Sequence, residues 1–107
     1  MAKRKKKKGE EVIRVRKPRK GELFGTVITM LGGGRALILC EDKKERIGRI
    51  PGSMKRSIWV RAGDIVLIKP WEIEGERRAD IVWRYTRLQA ELLRKQGYLK
   101  KLETLES

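Results

Sequence analysis

Between Leu23 and Trp83 the chain runs in short apolar stretches rich in β-branched residues, each closed by glycine or by a charged turn. This pattern predicts five β-strands. The first covers residues 23–31 and meets the turn Gly32-Gly33-Gly34; the second, 35–41, follows at once, so the pair is a hairpin. Asp42-Lys43-Lys44 turns the chain into a third strand, 45–50, which stops at Pro51-Gly52. A basic connection, 53–60, carries Trp59 near its end. After Ala62-Gly63-Asp64 comes the fourth strand, 65–71, and Glu74-Gly75-Glu76 leads into the fifth, 79–83.

Five short strands joined by glycine turns predict an all-β core closed as a small barrel. The long connection between strands three and four is where an oligonucleotide-binding fold (OB-fold) places its crossover, while an SH3-like barrel, the structural rival, uses a single 3₁₀ turn. Gly25 and Gly48, inside strands, suit the bends of so small a barrel. After Trp83 the period changes. Thr86 and Gln89 fit a capping box, Leu88, Leu92 and Leu93 share a face, and Gly97 is placed to end a helix over about 87–96. Leu99, Leu102 and Leu105 suggest further helical turns. The expected organisation is a disordered basic arm over 1–20, a barrel over 21–84 and a C-terminal helical extension over 85–107.

Charge changes the picture most. The 107 residues hold 28 Lys and Arg against 14 Asp and Glu, a net +14, which calls for a polyanionic partner. Residues 1–20 supply +9 of it, chiefly through Lys3, Arg4, Lys5, Lys6, Lys7 and Lys8. So dense a block of like charge cannot collapse and reads as an arm that waits for an anion, with a solubilising tail or an import signal as the plainer readings. Histidine is absent, and the single Cys40 sits in an apolar run as a buried small hydrophobe. Metal sites and nucleophilic triads therefore lack their parts, and no catalytic constellation is expected. Without a signal peptide or an apolar run of membrane-spanning length, a cytoplasmic protein is expected.

Gly32-Gly33-Gly34-Arg35 lacks the Gly-Lys-Ser/Thr ending of a phosphate loop and reads as the hairpin turn. Glu41-Asp42 and Glu74/Glu76 read as solvated turn residues. The positive signal lies elsewhere. Arg46 and Arg49 lie on strand three, and Lys55, Arg56 and Arg61 bracket Trp59, so that cations can neutralise phosphates while the ring stacks on an unpaired base or anchors the crossover as core. Alternation puts Arg46 and Arg49 on opposite faces of strand three unless Gly48 bends it. Arg35 and Lys69 are further phosphate candidates. Trp71 and Trp83, at the ends of strands four and five, read as barrel-end packing in preference to base platforms.

Several of these residues occur together in one family. Gly25-x-Val27, Leu31-Gly32-x-Gly34-Arg35, Cys40, Arg46, the run Ile50 to Val60, Gly63 to Ile68 and Ala79 to Tyr85 resemble translation initiation factor 1A of the archaeal type, over about residues 21–98. The resemblance implies an OB-fold with a C-terminal helical addition that binds rRNA at the decoding centre, the A site of the small ribosomal subunit. Arg35, Arg46, Lys55, Arg56 and Trp59 would be RNA contacts, with the basic arm reaching along the subunit. No cofactor is implied. Two departures stand out: Asp42-Lys43-Lys44 replaces a hairpin that often holds glycine, and the chain ends at Ser107 without the acidic tail of eukaryotic members. Docking of the subunit-joining GTPase, among other initiation factors, would then fall to Leu99–Leu105.

The expected function is thus a non-enzymatic initiation factor, monomeric off the ribosome, that assists initiator tRNA and mRNA placement. A structural ribosomal protein or a general single-stranded RNA chaperone would share the charge and the barrel. Aromatics at only 6% equip the chain poorly as a chaperone. A small basic nuclease lacks the histidine or carboxylate cluster it would need.

Overall fold

A computed structural model describes residues 15–52 and 60–106. It contains strands β1 (Leu23–Gly32), β2 (Arg35–Cys40), β3 (Glu45–Arg49), β4 (Ile65–Pro70) and β5 (Arg78–Arg84), then helices α1 (Arg87–Lys95) and α2 (Lys100–Glu106). The strands close a barrel in the order β1-β2-β3-β5-β4. β1 closes it by pairing with β2 along one edge and with β4 through Leu23↔Ile68 to Thr26↔Ile65 along the other. β3 and β5 run parallel, an arrangement that no tight hairpin can make and that the long connection after β3 allows. This is the topology of an OB-fold.

Inward positions alternate as a period of two requires: Ala36, Ile38 and Cys40 on β2 meet Val66, Ile68, Ala79 and Ile81 in the barrel core. The strand glycines owe their place to one of these side chains. A Cβ on Gly48 would lie 2.4 Å from Ile38 Cδ1, and one on Gly25 would lie 2.5 Å from Ile38 Cγ2. Both positions are empty so that Ile38 can fill the barrel axis.

The hairpin turns are determined by backbone sign. Gly32, Gly33 and Gly34 all have positive φ, the left-handed region that glycine enters freely. Lys43, in the turn between β2 and β3, is also left-handed, at φ 74°. An L side chain is disfavoured there by roughly 1–2 kcal/mol. Lys43→Gly is therefore expected to raise stability by about 1 kcal/mol once the added freedom of the unfolded chain is subtracted. Chemical denaturation measures it; a destabilised variant would mean that Lys43 makes a compensating contact.

A second core lies between barrel and helices, built from Phe24, Ile65, Leu67, Tyr85, Leu93, Leu99 and Leu102. Helix α1 is capped at both ends. Thr86 Oγ1 accepts from the Gln89 backbone N–H at 3.1 Å, and Gln89 Oε1 accepts from the Thr86 N–H at 3.0 Å. At the other end Gly97 is left-handed, with Tyr98 N–H donating to the Leu93 carbonyl and Gly97 N–H to that of Arg94, a Schellman motif. The buried face agrees with the expected one at Leu93 and differs at Leu88. Leu93 and half-buried Ala90 face the core, whereas Leu88 is 54% exposed. Leu99 and Leu102 are buried as well, which removes them as a docking surface for the GTPase. No helix among the described residues is long and apolar enough to cross a membrane.

Residues 15–19 make tertiary contacts with the barrel and the helices. Val15 packs on the second core. Arg16 forms a two-pronged bond to Glu22 at 2.9 and 3.2 Å, lies over the Trp83 ring, and its carbonyl accepts the Tyr85 hydroxyl. Lys17 Nζ sits 4.9 Å from the centre of Tyr98. Burial pushes Glu22 up, but the hydrogen bonds and charges of Arg16 and Arg19 outweigh it and hold the carboxyl below its ordinary range. Tyr85 is pushed up to about 12 by burial, against the nearby charge of Arg16. Residues 15–19 thus form an anchored root.

Candidate nucleic-acid interface

Strand register brings together cations that are far apart in the chain. Arg35 on β2 pairs with Arg49 on β3, Arg49 with Asp80 on β5, and Asp80 with Lys69 on β4. The result is one row across four strands, exposed at Arg35, Arg49 and Lys69 and interrupted by a single carboxylate. Spacing across neighbouring strands, about 5 Å a step, suits a chain of phosphates. Arg49 Nε donates to Asp80 Oδ1 at 3.0 Å, and Trp71 Nε1 donates to the same oxygen at 3.0 Å.

Arg46 does not belong to this surface. Strict alternation holds through Gly48, so Arg46 and Arg49 face opposite ways, and Arg46 is only 4% exposed. Its Nη1 and Nη2 donate to the two carboxylate oxygens of Asp42 at 3.0 and 2.9 Å, and its Nε donates to the Gly75 carbonyl at 2.6 Å. With its side chain buried and three of its five N–H groups so committed, Arg46 ties the β2–β3 turn to the β4–β5 turn. The Asp42 hydrogen bond holds the Arg46 pKa up despite burial, and in return Arg46 holds Asp42 below its ordinary value. Asp42, expected to be a solvated turn residue, is that structural partner.

Arg61 lies at a second place, a cleft of about 740 Å³ between the turn before β4 and helix α1. Arg84, Arg87 and Arg94 line it too, against the two carboxylates Asp64 and Glu91. Arg84 pairs with Asp64 at 3.3 Å, and Arg94 with Glu103 at 2.5 Å; Arg61 and Arg87 have no side-chain ion pair among the described residues. The first turn of α1 carries no acidic residue, so its positive end adds to the field of the cleft. Sequence reasoning passed over Arg84, Arg87 and Arg94. The interval of seven between Arg87 and Arg94 marks one helix face and was the available signal. Lys55, Arg56, Trp59 and Lys3 to Lys8 lie outside the described residues. Trp83 is covered on the ring by Arg16. Among the described residues no group of His, Cys, Asp or Glu could hold a metal ion.

A closed five-stranded OB-fold barrel with a row of cations on its outer face defines a small protein of the oligonucleotide-binding architecture. Comparison with known proteins makes this specific. The family model for translation initiation factor 1A / IF-1 matches residues 6–106. Translation initiation factor 1A of Methanothermobacter thermautotrophicus is 54% identical over 91 residues, 85% of this chain and 92% of the relative. That of Archaeoglobus fulgidus is 55% identical over 93 residues, covering 85% and 95%. A solution structure of translation initiation factor IF-1 from the Wolbachia endosymbiont of Brugia malayi aligns with TM-score 0.48 at 24% identity, over 62% of this chain and 78% of that one. The chain belongs to the translation initiation factor 1A family, whose members are not enzymes.

Proposed function

We propose that this protein binds the rRNA of the small ribosomal subunit at the decoding centre, occupies the A site, and so assists placement of initiator tRNA and mRNA. The observation that carries the reading is the row Arg35–Arg49–Asp80–Lys69, which gathers three exposed cations on one face of a barrel that belongs to an initiation-factor family. The arginine cleft beneath α1 supports a second contact to the phosphate backbone, to which Lys55, Arg56 and Trp59, shortly before Arg61 in the sequence, would add. Lys3 to Lys8 extend the contact beyond the barrel. With a net +14, steering toward the subunit is fast and falls with salt. Off the ribosome the protein is a monomer, and other initiation factors, including the subunit-joining GTPase, meet it on the subunit through surfaces other than Leu99 and Leu102.

Titration onto purified small subunits tests this reading. One copy should bind per subunit, leave in a high-salt wash and yield to an A-site ligand. Retention through the wash would favour a structural ribosomal protein instead.

A further inference from the structure

We infer that Trp71 is a stacking platform for one unpaired RNA base, covered in the free protein by the guanidinium of Arg49. The inference rests on the RNA-binding reading above and extends it to a base contact within the cation row.

Trp71 immediately follows β4, and its surroundings are not those of a packing residue. The cleft beside it, about 510 Å³, is lined by Arg49, Lys69, Pro70, Trp71, Glu72 and Asp80, of which only Pro70 is aliphatic. The ring is instead bounded by flat cations. Arg49 Cζ lies 5.5 Å and Arg78 Cζ 5.8 Å from its centroid. The indole is held rigidly: its N–H donates to Asp80 Oδ1 at 3.0 Å, and its backbone N–H donates to the Arg78 carbonyl at 3.1 Å. Gly75 packs so closely against the Trp71 carbonyl that a Cβ there would lie 2.4 Å from the oxygen. A ring fixed at its edge and along its backbone needs no reorganisation to receive a partner.

The two covering cations are not equivalent. Arg78 is tied back to Glu74 at 3.0 Å, outside the cleft wall. Arg49 lies in the wall, with a side chain 63% exposed, and its pair with Asp80 is a surface pair that holds weakly. A guanidinium on an indole occupies the place a nucleobase would take, and base–aromatic stacking is the stronger contact. Entry of a base would release Arg49 toward the flanking phosphate, beside Arg35 and across Asp80 from Lys69. Lys69 is exposed and has no ionic partner among the described residues. Glu72 and Asp80 repel phosphate from the cleft itself, so the group that enters is the base and not the backbone.

The test follows the three tryptophan indole N–H signals of the ¹⁵N-labelled full chain, assigned by replacing each tryptophan with phenylalanine in turn. The probes are an unpaired RNA hexamer and an abasic ribose-phosphate chain of the same length. The Trp71 signal should move with the hexamer and stay in place with the abasic chain. Trp71→Leu should weaken hexamer binding roughly 5- to 150-fold, and Trp71→Phe, which keeps a ring, should retain most of it. An equal response to both probes, or unaltered binding by Trp71→Leu, would overturn the platform. If hexamer and small subunits bind but the Trp71 signal does not move, the platform alone fails. If neither binds, the RNA-binding reading fails with it.

Discussion

Deleting residues 1–13 is expected to flatten the salt dependence of RNA binding while leaving thermal stability where it was. Lys3 to Lys8 provide six cations. If all six meet phosphates of a single strand, the slope of log K against log salt falls by about 4 on their removal. Deleting residues 1–20 should do more. That cut removes the anchored root, in which Val15 packs on the second core, Arg16 bonds Glu22 and Tyr85, and Lys17 covers Tyr98. Partial burial of one valine and one neutral hydrogen bond each contribute about 1 kcal/mol, and an exposed cation–π pair about 0.5–1 kcal/mol, so a loss on the order of 2–3 kcal/mol is expected. Equal melting temperatures for the two truncations would contradict the anchored root. An unchanged salt slope in the shorter deletion would contradict contact between the arm and RNA.

Replacing Asp42 by alanine should be strongly destabilising. It strands the guanidinium of Arg46, whose side chain is only 5% exposed, while Asp42 itself is 33% exposed. Breaking a fully buried pair costs roughly 3–5 kcal/mol; discounted for solvent at Asp42, about 2–3 kcal/mol is expected, or a melting temperature lower by roughly 10 °C or more. The same pair makes stability depend on pH. Asp42 is held below its ordinary value of 3.8, first by the hydrogen bonds from Arg46 and against the effect of burial. Its contribution is therefore complete above that ordinary value and is lost as pH falls through the lower folded value. Asp42→Asn should remove this acid-side component. A variant as stable as the parent would mean that Arg46 is held by the Gly75 carbonyl alone.

Local chemistry was legible in the sequence, and long-range pairing was not. The strands, the triglycine turn, and the Thr86–Gln89 box followed from residues a few positions apart, where turn and capping preferences operate. The opposed faces of Arg46 and Arg49 also followed, since a strand alternates whatever it pairs with. The purpose of that opposition did not follow. That Arg46 is buried depends on where the β4–β5 turn lies, 29 residues away. Arg35, Arg49, Asp80 and Lys69 form a row only once three strand registers are known. Leu88 and Leu92 share a face by period, yet the choice of Ala90 and Leu93 for the core is made by the barrel surface they meet. The seated root escaped because a run dominated by charge hides one valine and one arginine that find partners elsewhere.

Competition on the small ribosomal subunit tests the central claim most directly. Labelled full-length protein, bound to purified subunits at fixed salt, is challenged with tRNA directed to the A site. One-to-one binding that the tRNA displaces is the expected result, with Arg49→Glu and Lys69→Glu each weakening it. Binding that is indifferent to the A-site competitor, and equal on any RNA of the same length, would contradict the assignment and leave a general RNA-binding barrel.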